Sequence, residues 1–218
     1  MKRYFITGTD TDCGKTYVTC QLVDYFKANG TRAIAVKPVA SGCLERDGQL
    51  ISEDALSLQR HNGDIKQQIC PWRFKPPISP HLAAEEVGES LSVEAIAKFC
   101  FDEPWTDVDC LLIEGAGGLM APLNYNETWV DFLTHSQLPV ILVVGMRLGC
   151  LNHALLTELA LKTHQIECVG WIANCRDKDM LAMSATIKTL TGKMKSPLLA
   201  TIPYGGTLYS RHDPIDFL

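Results

Sequence analysis

Short, almost wholly apolar segments alternate along this chain with segments of helical periodicity, and this alternation restricts the possible folds more than any other feature. Residues 110–113 and 140–144 are apolar at every position, as is typical of strands that are buried on both faces of a sheet. Leu151, Leu155 and Leu159 then recur at the spacing of a helix face. The pattern predicts an α/β fold with a mostly parallel central sheet and helices on both faces.

The same pattern places the other elements and the edge of the sheet that binds ligands. Strands are predicted at residues 4–7, 32–36, 168–173 and 198–202, and helices at residues 18–26 and from about residue 178 to 191. Ligands of such sheets sit beyond the carboxyl ends of the strands. We therefore expect the functional residues in the loops after residues 7, 36, 113, 144, 173 and 202.

Size, charge and hydropathy limit the classes of protein that this chain can represent. With 218 residues, of which 46% are hydrophobic, we expect one domain over residues 1–218. A net charge of −5 offers no field for nucleic acid. The longest apolar run, residues 138–145, is far shorter than the roughly 20 residues that cross a bilayer, and the amino terminus does not resemble a signal peptide. We expect no nucleic-acid partner, no membrane contact and no export.

The cysteine pattern is typical of a reducing compartment. The nine cysteines form no C-x-x-C pair, are odd in number and mostly lie in apolar runs. This predicts buried, reduced thiols and a cytoplasmic location, not a disulfide or zinc framework.

A glycine-containing loop directly follows the first predicted strand and precedes the first predicted helix. Residues 8–16 read GTDTDCGKT. In such a loop, successive backbone N–H groups cradle phosphate oxygens, Lys15 neutralises the outer phosphates, and Thr16 offers its hydroxyl to magnesium. The usual pattern has a glycine where this chain has Thr9, and Gly8 comes one residue early. A turn followed by a surface lysine is the alternative.

Two further strand ends carry charged residues. Lys37 follows the second strand and precedes a proline, so it can face a nucleotide held by the neighbouring loop; a solvated strand-end lysine is the alternative. Glu114 ends the strand at residues 110–113 and precedes glycine-rich residues 115–118. A carboxylate in this position binds magnesium beside a phosphate loop, although a helix-cap or turn acid is also possible.

Two more positions remain open on the residues alone. Asp54 begins a helical segment, where a carboxylate interacts favourably with the helix dipole without any further role. Residues 148–152 begin the helix after the strand at 140–144, and their small side chains leave backbone N–H groups uncovered for a carboxylate or phosphate. Gly149 is equally compatible with an ordinary turn.

Taken together and in this order, the motifs resemble the dethiobiotin synthetase family. The resemblance rests on residues 8–16, 37–42, 79–81, 114–118 and 148–153 and spans residues 3 to about 205. It implies a P-loop NTPase-like fold and a homodimer. It also implies ATP-dependent ring closure of 7,8-diaminopelargonate with carbon dioxide derived from bicarbonate, in biotin biosynthesis, with Mg²⁺ as cofactor and ATP as co-substrate. One amine would form a carbamate, ATP would phosphorylate it, and the second amine would close the cyclic urea.

The resemblance also assigns roles to individual residues. It implies Lys15 and Lys37 as catalytic residues and Thr16, Asp54 and Glu114 as magnesium ligands. It implies nucleotide contacts from Asp12, Cys13, Gly14, Lys15, Thr16, Tyr17, Glu114, Gly115, Ala116, Gly117, Asn174, Pro203 and Tyr204. Substrate contacts are implied for Thr11, Lys37, Ser41, Gly149, Cys150, Leu151 and Asn152, the last four through their backbone.

Two features depart from the family pattern. Thr186 stands where the family can carry a tyrosine that reaches the substrate carboxylate across the dimer. The tail after Gly205 lacks a clear acidic match to the nucleotide-binding end of the family, so no residue is assigned there.

Two other functions compete with this interpretation. A ParA/MinD-like switch ATPase would carry a signature lysine inside the phosphate loop, where this chain has Asp10. An amide synthase of related P-loop fold would need an ammonia source such as a glutaminase domain, for which a chain of this length leaves no room.

Overall fold

The fold is built on one six-stranded parallel sheet. The computed structural model describes residues 1–102 and 105–208. The predicted single domain covers residues 1–218, of which residues 103–104 and 209–218 lie outside the described residues. Most of the tail after Gly205 therefore also lies outside them. The strands are β1 (Lys2–Gly8), β2 (Ala33–Val36), β3 (Val39–Ala40), β4 (Leu44–Arg46), β5 (Gln49–Ile51), β6 (Trp72–Arg73), β7 (Cys110–Glu114), β8 (Val140–Gly145), β9 (Cys168–Asn174) and β10 (Leu198–Ile202). The helices are α1 (Lys15–Ala28), α2 (Glu53–Asn62), α3 (Pro80–Glu85), α4 (Val93–Asp102), α5 (Trp129–Ser136), α6 (Cys150–Thr163) and α7 (Met183–Lys193).

The order of the strands brings the predicted functional loops to one edge. The central sheet runs β10-β9-β8-β1-β7-β2, and every pair in it is parallel. The chain leaves β1 between β7 and β8, with Ile6 opposite Glu114 and Gly8 opposite Val143. Gly145 lies opposite Asn174 in the next pair. The phosphate loop therefore emerges at the centre of the sheet, between the ends of β7 and β8.

The three central strands form the middle of the core because their side chains are apolar on both faces. All residues of β7 and β8 are buried. On one face, the rings of Phe5, Trp129 and Phe132 pack against one another with centroids 5.3 to 5.7 Å apart. Trp129 also donates an indole hydrogen bond of 2.8 Å to the carbonyl of Ala116. This contact ties α5 to the loop that follows Glu114.

The segment between β2 and α3 positions a second set of polar residues. It contains the short β3–β6 pair, the β4–β5 hairpin and α2. Ser52 caps α2 by accepting a hydrogen bond from Ala55 N, so Asp54 lies in the first turn. At the other end of α2, the buried amide of Asn62 bonds both the N–H and the carbonyl of Ala35 at 2.7 and 2.8 Å. Because β2 is an edge strand, these bonds satisfy its free backbone groups and hold α2 beside it.

Most predicted elements are present, with one clear shift of boundary. The helix predicted from about residue 178 begins only at Met183, because residues 176–182 form turns and Ala182 adopts a left-handed conformation before the helix. Across residues 1–102 and 105–208, no helix combines the length and apolarity that a bilayer crossing requires.

Candidate functional site

The phosphate loop joins β1 to α1 and is held in shape from several sides. Gly14 precedes α1 with φ +89°, a conformation that glycine adopts without strain. A side chain on Gly8 would begin 2.2 Å from Cys13 Sγ. Gly8 is therefore required by close packing inside the loop, although it lies one residue before the usual position. Thr9 continues the β1–β8 pairing, since its N–H donates to the Val143 carbonyl at 3.0 Å.

Three carbonyl groups of the loop accept hydrogen bonds from side chains, one from the loop itself, one at the end of β9 and one just after it. Lys15 Nζ donates to the Asp10 carbonyl at 3.0 Å. Asn174 Nδ2 donates to the Cys13 carbonyl at 3.0 Å, and Arg176 Nη1 donates to the Asp12 carbonyl at 2.6 Å. With these carbonyls bonded, the N–H groups of the loop can point toward an anion.

A buried lysine lies between two carboxylates beside this loop. Lys37 Nζ is 2.6 Å from Glu114 Oε1 and 2.8 Å from Asp54 Oδ2. The Thr16 hydroxyl donates to the same Glu114 oxygen at 2.6 Å. Lys37 and Glu114 are buried, whereas the Asp54 side chain is half exposed. The structure thus brings together Lys37, which directly follows β2, with one residue each from α2, α1 and β7.

The charges in this cluster shift the pKa of Lys37 and the pKa of Asp54. Burial by itself would lower the pKa of Lys37, but the charges of Glu114 and Asp54 outweigh burial and hold that pKa above its ordinary value. Burial would raise the pKa of Asp54, but the charge of Lys37 and the hydrogen bond from Lys37 hold it below its ordinary value. Lys37 and Asp54 are consequently charged in the folded protein near neutral pH.

The residues of this cluster fit a divalent cation that prefers oxygen ligands. Glu114 Oε2 is buried and has no hydrogen-bond partner among the described residues, which is unusual for a carboxylate oxygen. The Thr16 hydroxyl bonds the other oxygen of this carboxylate, Oε1, and the Asp54 carboxylate shares Lys37 with it. In the part of the chain that the structure describes, no group of three or more His, Cys, Asp or Glu side chains could hold a metal. Two carboxylates and a hydroxyl suit Mg²⁺, which binds few protein ligands and completes its shell with water and phosphate.

A cleft of about 840 Å³ lies over the loop and the lysine cluster. Fourteen of the predicted site residues line it: Thr11, Asp12, Gly14, Lys15, Thr16, Tyr17, Lys37, Ser41, Asp54, Ala116, Gly117, Asn174, Pro203 and Tyr204. Its wall near residue 204 is attached to α1, because the Tyr17 hydroxyl donates to the Gly206 carbonyl and Gln21 Oε1 accepts from Leu208 N at 3.2 Å.

The remaining predicted site residues lie beside or beneath this cleft. Cys13 is a buried residue of the loop itself, and Glu114 is buried next to Lys37. Gly115 packs against Phe5. Gly149, Cys150, Leu151 and Asn152 form the amino terminus of α6 outside the cleft lining. An ion pair between Arg147 and Asp10 connects that end of β8 to the phosphate loop.

Several cleft residues were not predicted from the sequence. Arg176, Cys175, Gln21, Ser57 and His61 line the cleft without carrying a recognisable motif. For Arg176 a signal existed, because a cation two residues beyond a strand end lies at the ligand-binding edge of a parallel sheet. Cys175 directly follows β9 and so lies at the same edge. Gln21, Ser57 and His61 lie on α1 and α2, and the packing of these two helices brings them to the cleft.

Comparison with other proteins gives concordant results. A family model described as an AAA domain matches residues 2–211. A protein of Legionella pneumophila (strain Paris) named ATP-dependent dethiobiotin synthetase BioD is 54% identical over 208 residues, which cover 95% of this chain and 96% of that protein. A protein of the same name from Pseudoalteromonas translucida (strain TAC 125) is 42% identical over 206 residues, covering 94% and 91% of the two chains.

The similar solved structures confirm the predicted fold. The septum site-determining protein MinD of Pyrococcus horikoshii OT3, complexed with Mg-ADP, matches with a TM-score of 0.55 at 19% identity, covering 93% of this chain and 81% of that chain. The MinC:MinD cell division protein complex of Aquifex aeolicus gives a TM-score of 0.53 at 12% identity with the same coverage of both chains. At these identities the likeness is one of fold alone.

Proposed function

This chain belongs to the ATP-dependent dethiobiotin synthetase family, and we propose that it closes the cyclic urea of dethiobiotin from 7,8-diaminopelargonate, carbon dioxide and ATP. The observation that carries the proposal is the cluster of Lys37, Glu114, Asp54 and Thr16 directly beside the phosphate loop. The cluster supports the proposal because positive charge and metal-binding oxygens lie beside the loop that we propose for the phosphates.

The reaction needs two bond-forming steps at one carbon atom. One amine attacks carbon dioxide and loses a proton, giving a carbamate. A carbamate oxygen then attacks the γ-phosphorus of ATP, and ADP leaves. The second amine attacks the carbonyl carbon of the resulting mixed anhydride and expels phosphate, which closes the ring. Such phosphoryl transfer depends mainly on positioning and on neutralising charge.

The proposed nucleotide site follows the phosphate loop. The N–H groups of Asp12, Cys13 and Gly14 and the first residues of α1, including Tyr17, bind phosphate oxygens, and Lys15 neutralises the outer phosphates. Ala116 and Gly117 line the cleft beside them. Gly115 offers its backbone there and packs closely on the core, since a side chain on it would begin 2.7 Å from the Phe5 ring. Asn174, Pro203 and Tyr204 contact the base at the other end of the cleft.

Thr16, Asp54 and Glu114 hold Mg²⁺ in this proposal. When bound, the ion neutralises charge on the phosphate oxygens of ATP. Lys37 acts as a catalytic residue with Lys15, since its ammonium group lies at the junction of the phosphate loop and the substrate end of the cleft. It stabilises negative charge on the carbamate and on the transferring phosphoryl group.

The diamine occupies the end of the cleft that Thr11 and Ser41 line. Its distant carboxylate binds the backbone N–H groups at the start of α6, residues 149–152. Gly149 there has φ +94°, and within the described chain no side chain caps this helix. The start of α6 lies outside the cleft lining, so the substrate chain extends out of the cleft past Arg147. Because Thr186 is too short to replace a tyrosine, carboxylate binding depends mainly on the helix amino terminus.

We also propose that the enzyme is a homodimer of single-domain subunits in the cytoplasm. Leu156 and Leu159 on α6 are 55% and 58% exposed, and Leu148 just before this helix is 97% exposed. Contact between two copies along α6 would cover these leucines and enclose the carboxylate end of the substrate. All nine cysteines are free thiols, which is consistent with a reducing compartment.

The test is a coupled ADP-release assay with purified protein, Mg²⁺ and ATP, in which diaminopelargonate and bicarbonate are omitted in turn. We expect ADP release only when both are present, together with one dethiobiotin per ADP. Lys37→Gln should lower turnover by at least about 100-fold while binding ADP normally, whereas the exposed Lys98→Gln is the matched control with normal turnover. Release of ADP that ignores the diamine would instead favour a switch ATPase, the alternative function with the same fold.

A further inference from the structure

Arg176 packs on the phosphate loop, and none of the roles proposed above uses it. It follows β9 by two residues, and its Nη1 donates to the Asp12 carbonyl at 2.6 Å. Its Cδ lies 3.0 Å from the point at which a side chain on Gly14 would begin. The side chain lines the same cleft as Lys15 and Lys37. Arg176 therefore touches both the backbone of the loop and the space into which a nucleotide fits.

The conformation of the loop explains why this contact matters. Asp12 has φ +56°, a left-handed conformation that residues with a side chain seldom adopt, and Gly14 has φ +89°. A loop of this kind binds anions because successive N–H groups point to one side, which requires the carbonyl groups to be satisfied on the other. Arg176 and Asn174 supply the partners for the carbonyls of Asp12 and Cys13, respectively. Arg176 thus helps to hold the loop in its anion-binding form before any ligand arrives.

The balance of charge in the cleft also indicates a role for Arg176 in binding an anion. Among the described residues that line it, the cations are Lys15, Lys37 and Arg176, and the acids are Asp12 and Asp54. Without Arg176 the formal charge of this lining would be zero. Lys37 is already paired with Glu114 and Asp54. The guanidinium has five N–H donors, of which the bond to Asp12 uses one, so Arg176 retains donors for a phosphate group.

We propose that Arg176 is a nucleotide-binding residue that fixes the phosphate loop and adds the positive charge that a nucleoside diphosphate or triphosphate requires. The proposal rests on the proposed use of this loop for ATP and deepens it. Its action is on nucleotide affinity, because Arg176 bonds the carbonyl of Asp12, a residue whose N–H we propose to bind phosphate, whereas Lys37 and Ser41 line the part of the cleft proposed for the carbamate.

The experiment measures ADP binding by calorimetry for the wild type, Arg176→Met, Arg176→Lys and Lys178→Met. Lys178 is exposed in the same loop and outside the cleft lining, so it controls for a general loss of positive charge. We expect Arg176→Met to weaken ADP binding about 10-fold, which corresponds to about 1.4 kcal/mol. Arg176→Lys should recover part of the affinity, because an ammonium group keeps the charge but not the fork of donors.

Steady-state kinetics separate this role from a general effect on structure. Arg176→Met should raise KM for ATP about 10-fold and leave both kcat and KM for the diamine within about 2-fold of wild type. ADP affinity of Arg176→Met within 2-fold of wild type would refute the inference, and so would an equal loss in Lys178→Met. Failure of the wild type itself to bind ADP would refute the proposed function instead, so the two failures are distinguishable.

Discussion

Replacing Lys37 with methionine should destabilise the ligand-free enzyme, because the ammonium group is the counter-ion of a buried carboxylate. Glu114 is fully buried, Lys37 bonds its Oε1, and its Oε2 has no partner in residues 1–102 and 105–208. In Lys37→Met, the Thr16 hydroxyl would be the one side-chain donor to Glu114 left among the described residues. Asp54 is half exposed and can be hydrated instead.

The magnitude follows from the cost of breaking a buried ion pair on one side, which is about 3–5 kcal/mol. We take the lower end, about 3 kcal/mol, because Asp54 regains water and Thr16 still donates to Glu114. For a chain of this size, about 3 kcal/mol lowers Tm by roughly 6–12 °C. Calorimetry or circular dichroism in EDTA, without nucleotide, measures the shift.

A double variant and a metal titration complete this test. Lys37→Met combined with Glu114→Gln should recover most of the lost stability, since the unpaired buried charge is then removed as well. Because Glu114 and Asp54 are proposed metal ligands, Mg²⁺ should raise the Tm of Lys37→Met more than that of the wild type. The reasoning fails if Lys37→Met melts within about 2 °C of the wild type in EDTA.

Three further predictions concern other parts of the molecule. Gly145→Ala should weaken ADP binding by at least about 10-fold, because the new methyl group would lie 2.8 Å from the Cα of Cys13 in the phosphate loop. By contrast, Gly192 lies inside α7 with open space around it. Gly192→Ala should therefore raise the free energy of unfolding by up to about 1 kcal/mol, measured in thermal melts. Leu159→Glu should convert the proposed dimer to monomer in sedimentation-velocity experiments, and an unchanged dimer would place the interface elsewhere. Burial raises the pKa of the Cys20 thiol to about 12, so mass spectrometry should find Cys20 unmodified by iodoacetamide at pH 8 in the native protein and modified after unfolding.

The general fold could be predicted from local sequence because each element carries its own periodic signal. Strands β7 and β8 are apolar at nearly every position, and α6 carries leucines at helical spacing. The phosphate loop was identifiable because its chemistry depends on backbone groups and on residues that are adjacent in the chain. The start of α7 at Met183 was not predicted, since the left-handed turn at Ala182 carries no glycine or proline to mark it.

The grouping of side chains depends on tertiary structure. From its own position in the sequence, Asp54 was compatible with an ordinary acid at the start of a helix. In the structure, Asn62 holds α2 against β2, and the Asp54 carboxylate lies 2.8 Å from Lys37 Nζ. This position beside Lys37 supports the metal-binding interpretation. The contact of Arg176 with Asp12 joins residues 164 positions apart. Periodicity and motif spacing thus determined the sheet, the loop and the candidate cations. Only the packing of distant elements decided which charges meet, because the energy of an ion pair depends on distance and burial, and neither is encoded in local sequence.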